Sequence, residues 1–296
     1  MSLNDRVAIV TGSGGGLGRC HALYLASKGA KVVVNDLSEE TAAAVVREIE
    51  EQGGEAMAAA GSVTDVDAVS RMVDDAMSRW GRIDILINNA GILRDKSFAK
   101  MELDDFRLVV DVHLMGSAIC SKAVWPAMRE QNYGRIVMTT SSSGLYGNFG
   151  QANYGAAKMG LVGLMQTLAI EGARYGIKVN ALAPTAATQM TEGVLTEDSL
   201  ENLDPAQVSP GLLALVAEEA PTRAILCAGA GHFAAAHVTL TEGRYIGRDP
   251  EAGEKVLAGW DEISGREGEV VPDYGFRQAE RELQSAGINI PVTVEK

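Results

Sequence analysis

The chain has 296 residues, 26 Lys and Arg against 39 Asp and Glu, and a formal net charge of −13. That length can bury a core without disulfides or metals, as one large α/β domain or two smaller ones, and the acidity disfavours a nucleic-acid or anionic-membrane partner. Three well-separated cysteines, Cys20, Cys120 and Cys227, read as reduced thiols. A charged start leads into an apolar run too short for a signal sequence, and the one long uncharged stretch, 224–241, is broken by glycines and histidines. The expectation is a cytoplasmic protein with neither a membrane partner nor a nucleic-acid partner.

The elements alternate along the chain. Residues 7–11 are apolar and β-rich, and 17–28 carry helical periodicity. A second strand at 31–36 (KVVVND) precedes a helix at 39–52, and a third within 55–63 precedes a helix at 66–80. A fourth at 83–88 leads to a long helix at 104–131, and a fifth at 134–140 to a helix at 154–175. A sixth at 178–183, a helix near 211–226 and a strand at 237–240 complete the series. Near-continuous apolar strands between helices mean a parallel sheet covered on both faces. The predicted fold is α/β, a doubly wound Rossmann-like sheet of about seven strands in order 3-2-1-4-5-6-7. It spans residues 1–240. Residues 241–296, with helix candidates at 250–263 and 276–286, read as a C-terminal extension rather than an independent domain, of use in subunit contact or at the substrate-site rim.

Chemistry concentrates where strands end. Strand one runs into Thr11-Gly12-Ser13-Gly14-Gly15-Gly16-Leu17-Gly18, and a helix starts at once. Such a turn lets backbone approach a pyrophosphate seated at the helix N-terminus. The spacing Gly12, Gly16, Gly18 is neither G-x-G-x-x-G nor an NTPase phosphate loop. Asp36, at the end of strand two, can accept the ribose hydroxyls of an adenosine and repels a 2′-phosphate. With no basic residue in the turn, NAD is expected rather than NADP. Asn88-Asn89-Ala90-Gly91 closes strand four. Tyr154 and Lys158, at i and i+4, share a helix face, where a cation lowers a phenol pKa and suits it to acid/base work. Ser141 ends strand five. The four histidines show no metal spacing, so no metal is expected, and no G-x-S-x-G surrounds a serine.

Gly12-x-x-x-Gly16-Leu17-Gly18, Asn88-Asn89-Ala90-Gly91, Ser141 and Tyr154-x-x-x-Lys158 together resemble the short-chain dehydrogenase/reductase family over about residues 5–240. The stretches Val34-Asn35-Asp36-Leu37, 88–98 (NNAGILRDKSF) and 146–158 (YGNFGQANYGAAK) resemble its (3R)-hydroxyacyl-CoA dehydrogenase units, found in peroxisomal multifunctional enzymes and bacterial relatives. The resemblance implies that Tyr154 is the acid/base, that Lys158 holds the nicotinamide ribose and tunes it, and that Ser141 binds the substrate oxygen. It puts Gly12, Ser13, Gly16, Leu17, Gly18, Asp36 and Leu37 at the cofactor. Asn89, Ala90 and Gly91 lie on its adenosine side, Ser62 and Val63 at the adenine, and Pro184, Thr185, Ala187 and Thr188 along the nicotinamide. Three positions depart from the common pattern: His113 for an Asn that supports a proton relay, Thr185 for a glycine, and Ser62 for an aspartate. His113 stands either as a relay or as a packing residue. The multifunctional units also carry His there.

The implied reaction is hydride transfer between NAD and a secondary alcohol or ketone, foremost a 3-hydroxyacyl-CoA. A hydroxysteroid, another alcohol, a 3-oxoacyl thioester in reduction, or a silent NAD-binding scaffold are the alternatives. Residues 185–222, with Met190, Val194, Leu195, Leu200 and Leu203, read as a substrate lid. The helix at 154–175 is apolar nearly all round, which predicts a homodimer or homotetramer.

Overall fold

Along β1 (Val7–Val10), β2 (Lys31–Asp36) and β4 (Ile85–Asn88), side chains alternate between two buried layers. Ala8, Val10, Val32, Val34, Ile85 and Ile87 enter one core cluster, while Ile9, Val33 and Leu86 enter the other. A strand buried on both faces needs apolar residues at every position, which is why these segments read as unbroken hydrophobic runs. Each of the Val, Ile and Leu side chains among them contributes about 1.5–3 kcal/mol by leaving water. The computed structural model describes residues 2–188, 196, 198 and 202–292.

The remaining strands are β3 (Ala56–Ala60), β5 (Gly134–Thr139), β6 (Ile177–Pro184), β7 (Ile225–Gly229) and β8 (His232–Ala236). Their order is β3-β2-β1-β4-β5-β6-β7-β8, with every pair parallel except the last. The predicted order holds over seven strands, and β8 adds an antiparallel edge. One face carries α1 (Gly16–Ser27), α2 (Glu39–Glu51) and α8 (Pro210–Val216). The other carries α3 (Val66–Trp80), α5 (Gly116–Gln131) and α7 (Ala152–Gly172). Local signals set the ends. Ser38 accepts from the Thr41 amide at 3.4 Å to start α2, and Asp65 accepts from Asp67 and Ala68 to start α3. Gly81, at φ +71°, ends α3.

α4 (Leu103–Val110) continues into α5 through a π turn, Asp111–Met115. The resulting helix, Leu103–Gln131, is long and apolar enough to cross a membrane by length and composition. Here it lies against the sheet and α7, with Val109, His113, Cys120, Val124 and Met128 buried.

The end of the sheet corrects the sequence reading. The helix expected to 226 stops at Val216, and residues 225–226 begin β7. Pro221 lies in the gap, where a continuing helix would lose a hydrogen bond. The seventh strand is Ile225–Gly229 rather than 237–240. Of the stretch expected as a lid, Val208, Leu212, Leu215 and Val216 pack into the core, whereas Met190, Val194, Leu195 and Leu200 lie outside the described residues.

The chain divides into two compact units, Met1–Ala236 and His237–Lys296. The second contains α9 (Ala252–Ala258), α10 (Trp260–Ile263) and α11 (Arg277–Ser285). An antiparallel bridge between Leu240 and Val270 closes it. Leu257, Trp260 and Ile290 are exposed on it.

Candidate active site

β1 and β4 are neighbours whose following helices leave toward opposite faces, so a crevice opens beyond their carboxyl ends. A cleft of about 720 Å³ occupies it. The glycine turn after β1, Asn89–Leu93 after β4, Ser141 after β5 and Pro184–Ala186 after β6 all line this cleft.

The glycine turn is drawn tight against the β4 loop. Asn89 donates from Nδ2 to the carbonyls of Thr11 (3.0 Å) and Gly12 (3.1 Å), and Thr11 Oγ1 accepts from the amides of Asn89 and Ala90. Gly12 sits at φ +59°, and a Cβ there would lie 2.7 Å from the Ala90 Cα. At Gly18 it would lie 2.2 Å from the Gly12 carbonyl oxygen. Asp36 accepts from the Gly14 amide at 2.9 Å and from the Leu37 amide at 2.8 Å. A bare-backbone cradle beside a carboxylate suits a dinucleotide whose ribose donates hydroxyls, so the residues present fit such a group.

Most of the expected cofactor residues line the cleft: Gly12, Gly16, Leu17, Gly18, Asp36, Leu37, Ser62, Val63, Asn89, Ala90, Gly91, Pro184, Thr185 and Thr188. Ser13 and Ala187 do not. Ser13 is buried beneath the turn, its Oγ donating to the Val10 carbonyl at 2.7 Å and its amide to Asn35. The Ala187 amide donates to the Leu203 carbonyl. Asn89 faces the glycine turn with its side chain and meets the cleft beside it. Ser62 Oγ is paired with Thr64 Oγ1 at 2.8 Å.

At the other end, Ser141, Tyr154, Lys158 and His113 converge. Ser141 ends the β5 segment and caps α6 (Ser142–Tyr146), accepting from the Ser143 amide. Tyr154 and Lys158 lie one turn apart on α7, which Thr140 pins to β5 by donating to the Lys158 carbonyl at 2.7 Å. The Tyr154 phenol is hydrogen-bonded to Ser141, and Lys158 Nζ lies 5.4 Å from the phenol ring centre. Lys158 is buried and donates to the Thr139 carbonyl at 2.5 Å.

Burial controls the protonation states. It pushes Lys158 from 10.5 down to about 7. It pushes Tyr154 above its ordinary value, helped by the charge of Asp95 and opposed by the Ser141 hydrogen bond. This reverses the expectation of a phenol lowered by its lysine, because desolvation weakens the cation as well. The His113 pKa is lowered to about 3, first by burial and then by the Lys158 charge, so its imidazole is neutral. Its Nε2 lies 3.0 Å from the Ile92 nitrogen and 2.8 Å from the Ile92 oxygen, and its ring meets Tyr154 edge-on at 5.1 Å. Among the described residues, buried His113 Nδ1 has no hydrogen-bond partner.

The chain belongs to the short-chain dehydrogenase family.

The family model for short chain dehydrogenases matches residues 6–199, and the fold and strand order agree with it. Members are oxidoreductases that use a nicotinamide dinucleotide. The chain is 44% identical over 282 residues to a short-chain type dehydrogenase/reductase of Mycobacterium tuberculosis, covering 92% of this chain and 98% of that one. It is 52% identical over 216 residues to the peroxisomal multifunctional enzyme type 2 of Drosophila melanogaster, covering 70% and 36%. The full-length structure of that enzyme superposes with a TM-score of 0.82 at 39% identity, covering 97% of this chain and 50% of that chain. The chain spans about a third of the length of several multifunctional relatives, 33% for the hydratase-dehydrogenase-epimerase of Saccharomyces cerevisiae. A 3-oxoacyl-(acyl-carrier-protein) reductase of Synechocystis is 46% identical over 202 residues, covering 68% and 82%.

Several cleft residues escaped the sequence reading: Ser143, Asn148 and Gln151 all line it near Ser141 and Tyr154. Gln151 stands three residues before Tyr154, and its polar side chain just ahead of an apolar helix was the one available signal.

Proposed function

We propose that the chain is an NAD-dependent dehydrogenase of 3-hydroxyacyl thioesters, with Tyr154 as the general acid/base. One observation carries the reading: Ser141, Tyr154 and Lys158 meet in the same cleft as the glycine turn and Asp36. The relatives named for multifunctional peroxisomal enzymes and for 3-oxoacyl reductases support the thioester class. Asp36 would take the ribose hydroxyls, Gly14–Gly18 the pyrophosphate, and Lys158 the nicotinamide ribose. The dinucleotide, when bound, accepts or supplies the hydride.

The chain's own groups handle the proton. Ser141 Oγ positions the substrate oxygen beside the Tyr154 hydroxyl. In ketone reduction the Tyr154 phenol gives its proton to that oxygen; in alcohol oxidation Tyr154 Oη takes it back. A phenol held protonated by burial favours the first direction near neutral pH, so oxidation should quicken with rising pH. A homodimer or homotetramer completes the reading, supported by Met159 at 40% and Ile170 at 48% exposure on the otherwise apolar α7.

The test is NADH formation across (3R)- and (3S)-hydroxyacyl-CoA esters, hydroxysteroids and simple alcohols, with NADP as the second oxidant. Turnover of hydroxyacyl-CoA with NAD, lost in Tyr154→Phe, is expected. Activity confined to steroids or simple alcohols, or a Tyr154→Phe protein with near-normal kcat, overturns the reading.

A further inference from the structure

Between the substrate end of the cleft and the loop after β4 runs a chain of polar contacts that the reaction as described does not use. Gln151 is buried at the start of α7. Its Oε1 accepts from Ser143 Oγ at 2.7 Å and from Asn148 Nδ2 at 3.1 Å, and its Nε2 donates to Asp95 Oδ2 at 2.6 Å. Two flanking bonds run alongside: the Lys96 amide donates to the Gly150 carbonyl at 2.9 Å, and Asn153 Nδ2 donates to the Arg94 carbonyl at 3.0 Å. Asn153 Oδ1 in turn accepts from the Tyr154 amide at 2.8 Å. The Ser143 amide donates to Ser141 Oγ. The one amide side chain of Gln151 therefore joins the segment behind Ser141 to the segment leading into Tyr154, and Asp95 fixes that amide from outside the cleft.

The amide orientation is over-determined. The Asp95 carboxylate accepts only, so the Gln151 nitrogen must face it; a flipped amide would set its oxygen against that carboxylate and its nitrogen against the Asn148 amide nitrogen. Buried networks satisfied in this way hold their members rigidly.

We infer that Asp95 is a positioning residue for the reaction: acting through Gln151, its carboxylate fixes Ser141 and Tyr154 relative to each other and places a negative charge at the far end of the Gln151 amide. This rests on the reading of Tyr154 as acid/base. The charged and titratable groups around the phenol come from each neighbouring element: Lys158 from α7, the neutral His113 from the π turn, and Asp95 from the loop after β4. Arg94 and Lys96, beside Asp95, are paired with Asp105 at 3.8 and 3.3 Å, which leaves the Asp95 charge to act on Tyr154 without a salt bridge of its own among the described residues. The charge of Asp95 raises the Tyr154 pKa.

The experiment separates charge from contact. Asp95→Asn keeps an acceptor oxygen for Gln151 and removes the charge, Asp95→Ala removes both, and Asp95→Glu restores the charge. Each is measured for the pH profile of alcohol oxidation and for tyrosinate absorbance, taken as a difference against the same protein carrying Tyr154→Phe. In Asp95→Asn the rise in kcat and the phenol titration should both move to lower pH with KM near the wild-type value. Asp95→Ala should show the same movement and on the order of a tenfold loss of kcat. Asp95→Glu should return both to the wild-type position. A phenol that titrates at the wild-type pH in Asp95→Asn overturns the inference, as does an Asp95→Ala protein with unchanged kcat. If the wild type turns over none of the alcohols, the proposed function fails, and the absorbance titration alone decides the role of Asp95.

Discussion

Lys158→Met should make the protein more stable and catalytically inert. The lysine is buried, its ammonium has one protein acceptor among the described residues, the Thr139 carbonyl, and burial lowers its pKa from 10.5 to about 7. At about 1.4 kcal/mol per decade, holding the charged form in the fold costs about 5 kcal/mol at acidic pH. Methionine fills a similar volume without charge and gives up one hydrogen bond worth about 1 kcal/mol. The expected net gain is about 4 kcal/mol below pH 7. The folded pKa lies under the unfolded one, so between about 7 and 10.5 the unfolded chain binds more protons. Wild-type stability therefore rises with pH through that window, and the advantage of the variant shrinks. Urea unfolding at about pH 6 and about pH 9 should show the gain falling from about 4 to about 1 kcal/mol. A gain equal at the two pH values, or a variant less stable than wild type at the lower one, would refute the reasoning. Turnover is lost at both.

Two further outcomes follow from the geometry. Gly91→Ala would place a Cβ 2.2 Å from His113 Cε1, so the imidazole must leave Ile92 and the Tyr154 ring. A loss of about 1–3 kcal/mol in unfolding free energy with a fall in kcat is expected, and wild-type values for both would show that His113 has room to yield. Light scattering at micromolar concentration should give a dimer or tetramer, and Ile170→Lys should shift it toward monomer; a monomeric wild type removes the assembly reading.

The sheet was legible because its strands are short β-branched runs buried on both sides, and the glycine turn because no other element needs Gly12, Gly14, Gly15, Gly16 and Gly18 so close together. The seventh strand was misread because Leu212–Val216 and Ile225–Ala228 are equally apolar, and only Pro221 separates two different periodicities. The eighth, HFAAA, has no β-branched residue and gains its conformation from pairing with β7. Tyr154, Lys158 and Ser141 were legible through the family resemblance of the combined motifs, but the sign of the Tyr154 shift was not, since desolvation depends on everything packed around the phenol. Asp95 and Gln151 are 56 residues apart, a pairing that spacing cannot suggest.

The π turn at Asp111–Met115 holds one residue more than an α-helical turn would. It therefore behaves as an insertion absorbed without a loop, so the residues after it keep the face they would have in a regular helix one residue shorter. Wound as unbroken α-helix at the same length, the chain would turn Cys120, Val124 and Met128 by about 100° away from the sheet they now cover. The wide turn that contains His113 thus also keeps the following helix in phase with the sheet it covers.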